Sequence, residues 1–166
     1  MSAAPPSRVL LVHGHYQYKG GEDMVVEAER ALLQSQGHAV DTYSRDNRDI
    51  DAAPALALAA AAIWSRRTVS EIAAKIAEFR PDIVHCHNTF PLISPSVYWA
   101  AGRCGVPVVQ TLHNFRLLCP QGMFLRNNRI CEDCLGALPW RGAVHACYRG
   151  SIPQSSVSAV MLSVHR

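Results

Sequence analysis

Short aliphatic runs alternate with stretches of helical periodicity along residues 8–113, and the chain changes texture beyond them. Arg8-Val-Leu-Leu-Val-His13 is apolar on both faces, as a central parallel strand should be. A glycine-bearing loop from Gly14 to Gly21 follows. Glu22 to Gln36 then reads as a helix, with Val25, Ala28, Leu32 and Ser35 on one face and Val26, Glu29 and Leu33 beside them. Glu22 and Asp23 suit its positive N-terminal end, and Gly37 is a natural stop. Val40 to Tyr43 alternates as a second strand, and Ser44 to Asp49 is a polar connection. Helical stretches are expected over 52–65 and from Thr68 to Phe79, where Pro81 breaks the pattern. Asp82 to His87 is a third strand, about Pro95 to Arg103 a helix ending at Cys104-Gly105, and Pro107 to Leu112 a fourth strand. This alternation predicts an α/β domain of Rossmann-like, doubly wound, mainly parallel type over 8–113. Residues 1–7 are expected to be disordered, 114–150 to form a Cys-rich loop insert, and 151–166 to begin a helix.

Composition narrows the classes. With 166 residues, 49% hydrophobic and 17% charged, the chain suffices for one well-buried domain and not for two ordinary ones. The net charge is +3 and no basic block exceeds Arg66-Arg67, so a nucleic-acid partner is not expected. The apolar run from Ala55 to Trp64 is well short of the roughly 20 residues that span a bilayer. Only Val9 to Val12 follow Arg8 before His13, too few for the apolar core of a secretory signal. A cytoplasmic location with reduced thiols is therefore expected.

Candidate chemistry gathers at the strand ends. Ligands of open α/β sheets bind beyond the carboxyl ends of the strands. The sequence places His13 and His15, then His85, His87 and Asn88, then His113 and Asn114 at those ends. Histidine is tolerated at any one strand end, but three histidine-rich ends on one edge point to a site. Gly20 and Gly21 precede a helix N-terminus, where bare amides and the helix dipole favour an anion such as phosphate. The spacing matches neither a dinucleotide fingerprint nor a Walker loop, and acidic Glu22 and Asp23 fill part of the positive field.

Cys119, Cys131, Cys134 and Cys147 fall as C-x11-C-x2-C-x12-C, with Cys131 and Cys134 as a tight knuckle. Four thiolates make the closed tetrahedral shell of a structural zinc, and few apolar residues lie between them. Unliganded thiols and two disulfides are the other readings. Cys86 and Cys104 sit among apolar neighbours and read as core. There is no G-x-S-x-G elbow and no H-E-x-x-H metal motif, and Arg126, Arg129 and Arg141 read as solvated.

Taken together, His13-Gly-His-Tyr, Gly20-Gly21-Glu-Asp, Asp82-Ile-Val-His-Cys-His-Asn88 and Thr111-Leu-His-Asn-Phe-Arg116 resemble glycosyltransferase family 4. These are retaining enzymes built of two facing Rossmann-like domains, the GT-B arrangement. The stretch from Cys119 to Gly136, with Cys147 to Ser151 beyond it, resembles a bacterial subset of the family, and the resemblance runs over about 8–166. It implies the acceptor-side, N-terminal half of a hexosyltransferase-type enzyme. Such an enzyme transfers a sugar with retention from a nucleotide-sugar donor to a glycan or lipid-linked acceptor. Gly20 and Gly21 match the loop approaching the donor diphosphate, and His113 the histidine near the reacting sugar. His15, His87, Asn88, Asn114 and Arg116 would lie on the acceptor side.

No catalytic cofactor is implied, and the full-length enzyme would be a candidate for peripheral membrane association. The family's E-x7-E element of the nucleotide-binding half does not occur here, since Glu71 and Glu78 are seven apart and differently placed. The chain is therefore expected to be part of a longer transferase and inactive alone. The competing expectations are a zinc-stapled Rossmann-like binding module without catalysis and a flavodoxin-like nucleotide binder.

Overall fold

The computed structural model describes residues 5–16, 20–48 and 54–165. Most of the expected disordered N-terminus, the centre of the 14–21 loop, the end of the 44–49 connection and the start of the 52–65 helix lie outside the described residues. Four strands form one parallel sheet in the order β2-β1-β3-β4: β1 (Arg8–His15), β2 (Ala39–Asp46), β3 (Ile83–Cys86) and β4 (Val108–Gln110). The helices between them are α1 (Gly21–Ser35), α2 (Ala55–Ile63), α3 (Arg66–Phe79) and α4 (Ser96–Arg103). The expected Rossmann-like α/β class is what the chain adopts.

Alternation along the strands gives the sheet two unlike faces. Leu10, Val12, Val84 and Cys86 point to one side and pack with Ile72 and Ile76 of α3 and Val97, Ala100 and Ala101 of α4 into the main core. Ser65 caps α3, its hydroxyl accepting from the Thr68 amide, which starts that helix squarely against the sheet. Ile72 is fully buried at the centre of this layer. Ile72→Ala is expected to cost about 2–5 kcal/mol of folding free energy, measurable by urea denaturation.

The other face is polar toward its carboxyl end, and this decides which side of α1 is packed. Val25 and Leu32 are exposed, while Asp23 and Val26 are the buried positions of the helix. The helix turns Asp23, Val26 and Glu29 toward the sheet, where the strands offer His13, His85 and His87 as polar partners for the two carboxylates.

Two further expectations are corrected. Ser44 to Asp46 belong to β2 rather than to a connection, because β2 follows β1 in register as far as His15 opposite Asp46. Cys104 is exposed, sitting where α4 ends rather than in the core, whereas Cys86 is buried as expected.

Beyond β4 the segment 114–150 contains a two-stranded hairpin, β5 (Leu125–Arg126) with β6 (Arg129–Ile130), and a short helix α5 (Trp140–Val144). Asn127 and Asn128 both take positive φ, 51° and 58°, as a two-residue hairpin turn requires. Helix α6 (Ile152–Val164) begins at Ser151, whose hydroxyl accepts from the Gln154 amide. It returns to the sheet's carboxyl edge, where Met161 and Leu162 pack with Ala62 and Phe90. No helix among the described residues is long and apolar enough to cross a membrane.

Candidate active site

Parallel strands bring His13 and His15 of β1, His85 of β3, and His87 and His113 just beyond β3 and β4 to one edge. The histidines continue one another across the strands. His13 lies 6.1 Å from His87, His85 stacks on His87 at 4.5 Å, and His87 on His113 at 5.2 Å between ring centroids. Helix α1 answers them with carboxylates. Asp23 Oδ1 lies 2.9 Å from His13 Nε2 and 3.0 Å from His15 Nδ1. Glu29 Oε1 lies 2.9 Å from His85 Nδ1, and Thr111 Oγ1 lies 2.8 Å from His85 Nε2.

His87 is the buried centre of this chain. Its pKa is pushed down to about 3, first by burial and then by the neighbouring His85, His113 and His13, so it is neutral. A neutral imidazole carries one N–H. The Glu29 carboxylate, 3.4 Å from Nε2 and outside hydrogen-bond geometry, favours that proton on Nε2. Nδ1 is then the acceptor for His113 Nε2 at 3.0 Å. This arrangement leaves His113 with Nδ1 as its own acceptor atom at the edge of the cleft. Burial also lowers the pKa of His13, its hydrogen bond to the Asp23 carboxylate opposing this.

The sequence-expected residues divide between this edge and their own supporting roles. His113, Asn114 and Arg116 line a cavity of about 60 Å3 together with Glu22, His87 and Asn88. Asn114 Nδ2 donates to Glu22 Oε1 at 3.2 Å, and its Oδ1 accepts from the Arg116 amide at 2.9 Å. The Arg116 guanidinium donates to the Pro120 carbonyl and lies 4.9 Å from the ring centroids of both Phe90 and Tyr148. Asn88 ties the strand ends together, donating to the Gly14 carbonyl while its own carbonyl accepts from the Gly14 amide. A side chain at Gly14 would stand 3.2 Å from that carbonyl, so the close approach asks for glycine.

His15 is held against Asp23 at the rim. The Gly20 amide, expected to face a donor phosphate, donates instead to Asp23 Oδ2 at 2.9 Å, while Gly21 has open space where a side chain would project. The acidic residue that partly fills the helix's positive end thus also closes one of the two amides of the glycine pair.

A second cavity, of about 250 Å3, shares Asn88, Phe90 and Arg116 with the first and opens between α2 and α6. Tyr16, Asn47, Tyr148 and Arg149 add polar groups to a largely apolar wall. Asn47 is buried, and its Oδ1 has no hydrogen-bond partner among the described residues. A buried carbonyl left so is costly unless a ligand or water meets it. The Tyr16 hydroxyl bonds Glu22, and burial, followed by that carboxylate, pushes its pKa upward. This cavity approaches the size of a small-molecule site, which the first does not.

Glu29, Asn47 and Tyr148 were not singled out from the sequence as site residues, and Asp23 was read only as suiting the positive end of α1. Asp23, Val26 and Glu29 recur at a spacing of three along α1, which lines the two carboxylates up on one side of the helix without showing that this side is packed. Among the described residues, His13, His15 and Asp23, and separately Glu29, His85 and His87, hold their donor atoms within 4.8 Å of one another, close enough to share a metal ion. Both groups already carry hydrogen bonds or ion pairs among themselves, which explains their arrangement without one.

Cys119, Cys131, Cys134 and Cys147 line one small cavity in the 114–150 segment, and none is in a disulfide. Arg126, expected to be solvated, pairs with Asp133 at 2.8 Å. The model of a protein family described as Glycosyltransferase Family 4 matches residues 18–142. No curated protein and no solved structure matches the chain.

Proposed function

Because the chain belongs to glycosyltransferase family 4, we propose that it forms the acceptor-binding side of a transferase that moves a sugar from a nucleotide-sugar donor to a glycan or lipid-linked acceptor with retention. The observation that carries this reading is the histidine edge itself. His113 stands in the wall of the cleft with one nitrogen committed to a neutral, buried His87 and the other left as an acceptor. A ring nitrogen so placed can accept a hydrogen bond from a sugar hydroxyl. Glu22, Asn114 and Arg116 add one anionic, one amide and one cationic group around the same cleft, a mixture suited to a polyhydroxylated ligand.

In this reading the donor diphosphate approaches Gly21 at the N-terminus of α1 and is held mainly by a nucleotide-binding domain. The acceptor enters by the 250 Å3 cavity, whose apolar wall with Arg116, Arg149 and Tyr148 suits a sugar carried on an apolar or aromatic group. The acceptor hydroxyl oxygen bonds the anomeric carbon as the bond to the phosphate oxygen breaks. Its proton leaves with the departing nucleoside diphosphate, whose developing charge is stabilised electrostatically. Without the nucleotide-binding domain the chain does not turn over.

Arg116→Ala in the transferase that unites both domains is expected to raise KM for the acceptor about tenfold or more while KM for the donor stays near wild type. Steady-state kinetics with each substrate varied in turn measure this. A rise confined to the donor KM would place Arg116 on the other side of the reaction and overturn the acceptor assignment.

A further inference from the structure

The segment from residue 114 to 147 lacks a core of its own. Phe115, Met123, Ile130, Leu138, Trp140 and Val144 are all exposed, and neither apolar cluster of the protein draws a buried member from it. Its buried positions are instead Cys119, Pro120, Gly122, Cys134, Pro139 and Gly142. Yet the segment follows a defined path. Phe115 and Gly122 are joined through their backbones at 2.8 Å, Cys119 closes a turn on Phe115 at 2.9 Å, and the β5–β6 hairpin delivers Cys131 beside the Phe124 carbonyl at 2.8 Å. A path so defined, with so little apolar burial, needs another source of free energy.

We propose that Cys119, Cys131, Cys134 and Cys147 bind one structural zinc ion, and that this ion fastens the loop carrying Asn114 and Arg116. The four cysteines come from three separate places in the segment: before the hairpin, after it, and after α5. All four nevertheless line the same cavity of about 20 Å3, room for an ion and not for an organic ligand. Cys131 and Cys134, two residues apart directly after a tight hairpin, have the spacing of a zinc knuckle. No three of the four cysteine sulfurs lie within 4.8 Å of one another, and zinc would draw them in to bonds of about 2.3 Å.

Four thiols bind as thiolates and release their protons, which leaves the tetrathiolate zinc with a net charge of about −2. Arg141 lines the same cavity and offsets part of that charge, while Arg126, also in the lining, is already paired with Asp133 there.

The link to the cleft runs through Pro120, the residue after Cys119. Its carbonyl accepts from Arg116 at 3.0 Å and from the buried Ser158 of α6 at 3.1 Å. Its ring presses on Gly142 of α5 so closely that a side chain there would stand 2.6 Å from the ring carbon. Pinning Cys119 to Cys134 and Cys147 therefore holds Pro120, and Pro120 holds Arg116.

The test is metal content of the purified chain, prepared without chelator and without added zinc, and it does not depend on transferase activity. About one equivalent of zinc is expected by plasma mass spectrometry, and cobalt exchanged into the same protein should show the visible and charge-transfer bands of a tetrahedral tetrathiolate. Cys131→Ser with Cys134→Ser should lose the metal, whereas His85→Ala should keep it. Wild-type cobalt spectra decide the matter even if the double variant does not fold. Metal-free protein that takes up no zinc, disulfides among these cysteines, or metal lost from His85→Ala and retained by the cysteine variant would each overturn the proposal.

Discussion

His113→Ala is expected to lower kcat of the assembled transferase at least about 100-fold, the usual effect of deleting one hydrogen-bonding group aimed at a reacting centre. The size follows from where the side chain stands. His113 lies where β4 has ended and the chain turns into the cleft, and its ring is held by stacking on His87 and by the bond from Nε2 to His87 Nδ1. Its orientation is therefore already set before substrate arrives, and little entropy is lost on binding. His113→Asn, which can still offer one acceptor, should recover part of the rate. The measurement is kcat under saturating donor and acceptor, together with a circular dichroism spectrum to show that the sheet is intact. An unchanged kcat would remove His113 from the site.

Acidification below about pH 6.5 should destabilise the folded chain, by up to about 1.4 kcal/mol for each unit per histidine held neutral. His87 is the principal cause. Its pKa in the fold is about 3 against an ordinary value of 6.5, so between those values the unfolded chain binds a proton that the folded chain does not. Stability from this group is complete above pH 6.5 and falls as the pH drops through that window. His13, also lowered by burial, acts in the same direction. Asp23 and Glu71, held below the usual carboxylate range, add their loss only at still lower pH. Urea denaturation between pH 7 and about 4.5 should show the slope. His87→Gln should flatten it by about one proton. An equally steep profile in the variant would show that His87 is not the titrating group.

Much of the scaffold was legible because its strands are short, aliphatic and separated by helices with clear stops. Runs such as Val9 to Val12 and Ile83 to Val84 can be read as buried strands without knowing their partners. The polar face was harder. A stripe of Glu22, Val26, Glu29 and Leu33 reads ordinarily as a solvated edge, and only pairing across the sheet shows that Asp23 and Glu29 pack against histidines. The same cross-strand meeting leaves Val25 and Leu32, on the other side of α1, in solvent.

The candidate site was readable as an edge but not as a network. Strand ends can be aligned from the sequence, whereas the stacking of His85, His87 and His113 depends on the register of β1, β3 and β4. Gly20 illustrates the opposite case: its place before a helix was plain, and its amide is taken by a side chain three residues away. Asn47 could not have been found, because its meaning lies in a buried oxygen that no other described residue meets. Cys104 failed for a simpler reason: a helix end set among apolar neighbours in sequence can still face outward.

The most direct test of the account is sugar transfer itself. The transferase uniting this domain with its nucleotide-binding domain would be incubated with radiolabelled nucleotide sugars and with oligosaccharide and lipid fractions as acceptors. The account predicts label bound covalently to an acceptor, nucleoside diphosphate released in equal amount, and an unchanged anomeric configuration in the product. A folded enzyme that leaves every nucleotide sugar intact, or that releases sugar to no acceptor but water, would contradict it.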